Sequence, residues 1–170
     1  MISRLAEIAS REVGYKETEG SNLGPAVKKY QYATDLEPGS WPWCSAFVCW
    51  CLMVWLRDPN AKEWLALKRR SPEDWRPKTA LAYGFLEWAK SRPNTVDIFP
   101  DSIIPAPGDI VTFDFSHVGI VANANADTIT TIEGNTNSAG SREGDGVWIK
   151  TRQKNIARNF LRVHSSLSVG

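Results

Sequence analysis

The run WPWCSAFVCWCLMVWL, Trp41 to Leu56, is too apolar to lie anywhere but inside a core, and it constrains the rest of the chain most. Its uninterrupted part, Ala46 to Leu56, falls short of the about 20 residues needed to span a bilayer, so it reads as a buried helix. Pro42 suits the first helical position because its φ is already fixed and its missing N–H would have had no intrahelical partner there. Cys44 then falls in the first turn, where unpaired backbone N–H groups and the positive end of the helix dipole favour a thiolate and any oxyanion formed beside it. Cys49 and Cys51 lie deeper in the run and read as small buried hydrophobes.

The whole chain fits one domain, expected to span residues 1–170, and its 170 residues can build a core without metal or disulfide support. A net charge of +1 gives no electrostatic reason to expect nucleic acid as a partner. Three cysteines, two of them two residues apart on one helix, do not form a disulfide framework and fit a reducing site of synthesis. The opening MISRLAEIASREVGYKE carries charges every few residues and lacks the apolar segment of a signal peptide. Synthesis in the cytoplasm and a monomer without an integral membrane segment are the expectation.

The order of patterns predicts the fold class. Ile2, Leu5, Ala6, Ile8, Ala9 and Val13 recur at helical spacing up to Gly14, and Pro25 opens a short second helix carrying Val27 and Tyr30. After the central helix comes a helical excursion at about residues 57–102, with pieces predicted at Ala61 to Lys68 and Thr79 to Ser91. It holds three tryptophans; Trp64 and Trp88 read as packing residues, whereas Trp75, between Asp74 and Arg76, reads as a candidate binding surface. The pattern then changes to period two: PAPGDIVTFDF, HVGIVANA, DTITTIEGN, GVWIKTR and NFLRV are short strands separated by turn residues. Helices followed by consecutive strands indicate an α+β fold, with the nucleophile-bearing helix packed on a C-terminal antiparallel sheet.

The far end of the chain gives Cys44 its chemistry. His117 opens the strand HVGIV just after a turn at Phe115 and Ser116, and a histidine there can present its ring to a cleft. The other histidine, His164, reads as a surface residue near the C-terminus. Glu133 and Asn135 close the following strand, share a face by period two, and have Gly134 between them to allow close approach. A catalytic histidine needs a third group that fixes its tautomer, and either Glu133 or Asn135 can accept its ring N–H.

WPWCSAFVCW, followed in order by PAPGDIVTF, SHVGIV and IEGN, resembles the CHAP group of cysteine amidohydrolases and peptidases, relatives of the NlpC/P60 enzymes on a papain-like fold. Many of these are phage lysins or other bacterial cell-wall hydrolases. The similarity runs from about Trp41 to Val163, and the excursion is its least family-like part. It implies Cys44 as nucleophile, His117 as general base, Glu133 as orienter and Asn135 as a helper or alternative third member. It implies, too, a peptidoglycan amide as substrate, either the glycan–peptide bond or a bond within the stem, and no cofactor. Delivery to the wall would involve a holin or a secretion apparatus, and an effector would also have an immunity protein as partner. Trp43 stands where many relatives place Gln, so it is expected to wall the substrate cleft or to mark another way of holding the oxyanion.

Other classes fit the residues less well. A zinc site from the three cysteines and His117 fails on helix geometry: Cys44 and Cys51 would lie about 10 Å apart, and Cys49 and Cys51 would point about 200° apart. A wall-binding domain without catalysis would need none of the three chemical roles. A deamidating or transglutaminase-like toxin would use the same Cys and His on a different substrate. From Gly146 onward Lys150, Arg152, Lys154, Arg158 and Arg162 have no acidic neighbour in sequence, which reads as a solvated basic face or an electrostatic guide to anionic polymers.

Overall fold

The computed structural model describes residues 1–67 and 70–166, and within them the apolar run is the helix on which the other elements pack. Six helices come first: α1 (Ser3–Ser10), α2 (Pro25–Gln31), α3 (Cys44–Trp55), α4 (Pro59–Leu65), α5 (Pro72–Trp75) and α6 (Gly84–Lys90). Six strands follow: β1 (Val96–Phe99), β2 (Ile110–Phe113), β3 (His117–Ala124), β4 (Thr128–Thr136), β5 (Gly146–Gln153) and β6 (Ala157–Val163). They form one antiparallel sheet in the order β1-β6-β2-β3-β4-β5. The α+β expectation holds.

Alternation along the strands separates two apolar clusters. Val118, Ile120 and Ile132 join the core built by Phe47, Val48, Leu52 and Trp55 of α3, together with α1 and α2. Val111, Phe113, Val121, Ile129 and Phe160 form a smaller cluster of their own. Cys49 and Cys51 are completely buried in the main core, as expected for residues deep in the run, and burial pushes the Cys49 thiol up to about 12.

Gly134 sets how closely α3 approaches β4. A Cβ there would come within 2.7 Å of Phe47 Cβ and 2.8 Å of Trp43 Cζ3. Replacing Gly134 by Ala is therefore expected to overpack this contact and cost about 1–3 kcal/mol. A thermal melt several degrees below wild type, with unchanged circular dichroism, would bear this out.

Several sequence expectations are corrected. Pro42 lies outside α3: Trp43 is the N-cap and Cys44 is itself the first helical residue. The excursion is not wholly helical, because it ends in β1, whose Val96–Phe99 pairs with Val163–Phe160 at the edge of the sheet. Its second helix starts at Gly84 rather than Thr79, since Thr79 Oγ1 instead accepts the Leu81 N–H in a local turn. The predicted end of its first helix, Lys68, lies outside the described residues.

Trp75 is not a binding surface. It is 1% exposed at the end of α5, its ring edge meets Trp88 at 5.3 Å, and its Nε1 donates to Thr95 Oγ1 at 2.8 Å. Flanking charges misled because Arg76 is itself buried, donating to the Ala33 carbonyl at 2.6 Å. His164 is half-buried, with Nε2 3.5 Å from Asp97, rather than free at the surface.

The cations of the basic C-terminal stretch each hold a partner, two of them a buried carboxylate. Arg162 pairs with buried Asp109, Arg152 with buried Glu133, Lys154 donates to the Ile103 carbonyl, Lys150 to the Asn137 and Ser138 carbonyls, and Arg158 lies over the Tyr83 ring.

Candidate active site

Cys44 begins α3, so its own N–H and those of Ser45 and Ala46 precede the first intrahelical bond, which Phe47 N–H donates to the Trp43 carbonyl at 3.0 Å. Cys44 is 6% exposed. Burial by itself would push its pKa up. Hydrogen bonding and charge from His117, with help from Ser45 and the backbone of Val118, outweigh burial and hold the thiol below its ordinary range.

His117 is the first residue of β3 and is fully buried. Its Nε2 meets Glu133 Oε2 at 2.9 Å. Its Nδ1, buried and without a geometrically complete hydrogen bond, is the ring nitrogen left to the Cys44 thiol. Burial opposes a charge on this ring, but hydrogen bonds and charge from Cys44 and Glu133 prevail and raise the pKa to about 9. The turn before His117 is held by a residue of the excursion: Tyr83 Oη donates to the Asp114 carbonyl at 2.7 Å and accepts the Ser116 N–H at 3.0 Å. This is a local reason for the excursion that its sequence did not reveal.

Glu133 is the centre of the polar chain. Arg152 grips it with two bonds, Nε to Oε1 and Nη2 to Oε2, both 2.6 Å, while Thr131 Oγ1 donates to Oε1 at 2.5 Å. Burial would raise this carboxyl, yet Arg152 and His117 more than reverse that and lower its pKa to about 2. Gly119 makes room for it, since a Cβ there would sit 2.7 Å from Glu133 Cγ. The Arg152 guanidinium also lies 5.1 Å from the ring centroids of Phe113 and Phe115, and Phe115 stacks on His117 at 5.7 Å and 16°. Cation, two phenyl rings and imidazole thus form one packed column beside the carboxylate.

These observations separate the expected site residues. Cys44, His117 and Glu133 come together. Asn135 makes no hydrogen bond to His117, and a bulge in the β4–β5 ladder, where Glu133 faces Trp148 but Thr136 faces Gly146, leaves one extra residue on β4. Asn135 has a left-handed φ of 56°, and its Nδ2 donates to the Arg142 carbonyl at 3.4 Å. Period two fails at that point. Trp43 is 1% exposed, stacks on Tyr30 at 5.4 Å and donates Nε1 to Glu17 Oε1 at 2.9 Å, so its side chain supports the helix start and does not line a cleft.

The CHAP domain model matches residues 36–135, a span running from the loop before α3 to Asn135 and containing Cys44, His117 and Glu133. The chain belongs to the CHAP family. CHAP domains are in general hydrolases or amidases that act on peptidoglycan. Arg152 lies beyond the matched span, on β5. A search of curated proteins found no match to this chain. Among the described residues no helix is long and apolar enough to cross a membrane.

Proposed function

We propose that this CHAP domain, a single catalytic unit, hydrolyses a peptidoglycan amide through a thioester on Cys44. The observation that carries the reading is the chain Cys44–His117–Glu133–Arg152, in which Arg152 lowers the Glu133 carboxyl, Glu133 raises the His117 ring and His117 lowers the Cys44 thiol. The Cys44 proton resides on His117, leaving a thiolate beside an imidazolium. The thiolate attacks the amide carbonyl carbon, and the new oxyanion is met by N–H groups of the first turn of α3. His117 gives its proton to the departing amine as the C–N bond breaks. Neutral His117 then takes a proton from water, the hydroxide attacks the thioester, and the thiolate leaves with the acid product released. Glu133 keeps Nε2 engaged so that Nδ1 faces sulfur throughout, and Arg152 keeps Glu133 ionised.

Sacculi incubated with the wild type and with Cys44→Ala test this reading. Soluble muropeptides from the wild type alone support it, and mass spectrometry of their new ends assigns the bond as glycan–peptide or within the stem. Sedimentation of both proteins with intact sacculi, without release of fragments, would favour a binding domain. Deamidation of a protein substrate in the absence of muropeptide release would favour the toxin reading.

The pH dependence follows from the same pair. Reaction needs thiolate and imidazolium together, so kcat/KM should fall as pH rises through about 9, where His117 loses its proton. It should hold to lower pH than an ordinary thiol allows, because Cys44 is shifted down. Glu133→Gln removes a group that raises His117, so the alkaline limb should move to lower pH. A limb that stays at the wild-type position would mean that Glu133 does not sustain the charge on His117.

A further inference from the structure

A second charged feature lies at the opposite end of α3. Trp55, the last residue of that 12-residue helix, is about 16 Å from Cys44 along the axis. Here the end of α3, α1 and the start of α4 enclose a cleft of about 480 Å³ that is walled by Arg4, Arg11 and Arg57. One carboxylate faces these three guanidinium groups, and it is already engaged. Asp58 Oδ1 caps α4 through the Asn60 N–H, and its Oδ2 pairs with Arg4 at 2.7 Å. Arg11 and Arg57 are exposed and, among the described residues, make no side-chain hydrogen bond, ion pair or ring contact. The five basic residues of the C-terminal stretch, by contrast, are all engaged. Trp55 also lines the cleft, and its indole N–H is buried without an acceptor.

We propose that this cleft binds a phosphodiester polyanion. Guanidinium groups present paired donors whose spacing matches phosphate oxygens, and unpaired ones can be neutralised only by a ligand or by free counterions. Half-buried Val54 in the same wall gives a small apolar surface for the carbon links between phosphates. A bilayer is the poorer match, because no large exposed apolar side chain lines the cleft to enter it. Single-stranded nucleic acid is poorer too, since no exposed aromatic side chain is there to stack on a base. The site lies away from Cys44, so its occupation leaves the thiol free and would hold the enzyme on a phosphate-bearing surface while it works. The ligand chemistry is independent of the hydrolase reading.

The test uses the full chain carrying Cys44→Ala, so that binding is measured without turnover, and fluorescently labelled poly(glycerol phosphate) as probe. Arg11→Glu with Arg57→Glu should weaken binding by about tenfold or more, as expected for the loss of two charge-assisted contacts. Lys28→Glu with Lys90→Glu makes the same change in net charge elsewhere and should leave affinity within about twofold, since exposed charges far from the ligand are screened by salt. Arg11→Gln with Arg57→Gln should give a smaller loss and guards against misfolding of the charge-reversed protein. The proposal fails if the two charge-reversed pairs lose affinity equally. It fails as well if the wild type does not bind the polymer, or binds phosphatidylglycerol vesicles or duplex DNA more tightly than the polymer at matched phosphate concentration.

Discussion

Replacing Cys44 by alanine is expected to lower peptidoglycan turnover by at least about 10⁴-fold, the scale seen when a nucleophile acting as part of a unit is removed. The melting temperature should stay close to wild type. The deleted atom is one sulfur at a helix end, the helix keeps its N-cap at Trp43, and such a site tolerates loss within about 1 kcal/mol. His117→Ala should lose as much activity, and the double variant little more, because thiolate and imidazolium act as one pair. Cys51→Ala makes the useful contrast. It removes a thiol from the closed core, where burial holds the pKa well above its ordinary range, so it should cost stability and leave kcat nearly unchanged. Digestion of sacculi and a thermal melt on each variant separate these outcomes. If Cys44→Ala kept activity within tenfold of wild type, the nucleophile would have to be sought elsewhere.

How these residues meet was only partly written in their local patterns. Cys44 and His117 were legible because each stands where one element type gives way to another, a helix start and a strand start, and such positions leave polar groups free for chemistry. Glu133 was legible through period two, but the same rule carried one step further did not foresee the left-handed backbone of Asn135, since a bulge adds a residue that no composition signal marks. Arg152 was missed for a different reason. Its strand β5 is inverted: Ile149 faces solvent at 53% exposure, while Lys150 and Arg152 lie on the more covered side. Apolar-in and polar-out reasoning therefore assigned a buried cation to the surface. A carboxylate buried beside a histidine is itself the signal that a second cation must be near, but this becomes usable only once burial of Glu133 is known. Tyr83 was beyond reach altogether, because its contact with the turn before His117 bridges residues about thirty positions apart.

Arg152→Met is the second large effect. Removing one partner of a buried pair strands the other, which costs about 3–5 kcal/mol, a sizeable share of the about 5–15 kcal/mol that holds a domain together. Glu133 is fully buried and Arg152 nearly so, so solvent does little to soften the loss. Loss of the cation above Phe113 and Phe115 adds to the same direction. A structural role would end there, but a positioning role also predicts a change in titration. Arg152 is the strongest of the groups that lower Glu133, so without it the carboxyl takes a proton at higher pH and releases the His117 ring earlier on acidification. The acid limb of kcat/KM should therefore move up in Arg152→Met, while the alkaline limb, set by His117 against Cys44 and Glu133, stays near 9. Arg152→Lys keeps the charge but not the two-pronged grip, and should restore much of the pH profile with less of the stability. The double variant Arg152→Met with Glu133→Gln removes both charges. It should regain stability over Arg152→Met alone without regaining rate, which puts the cost in the stranded carboxylate and the rate in its charge.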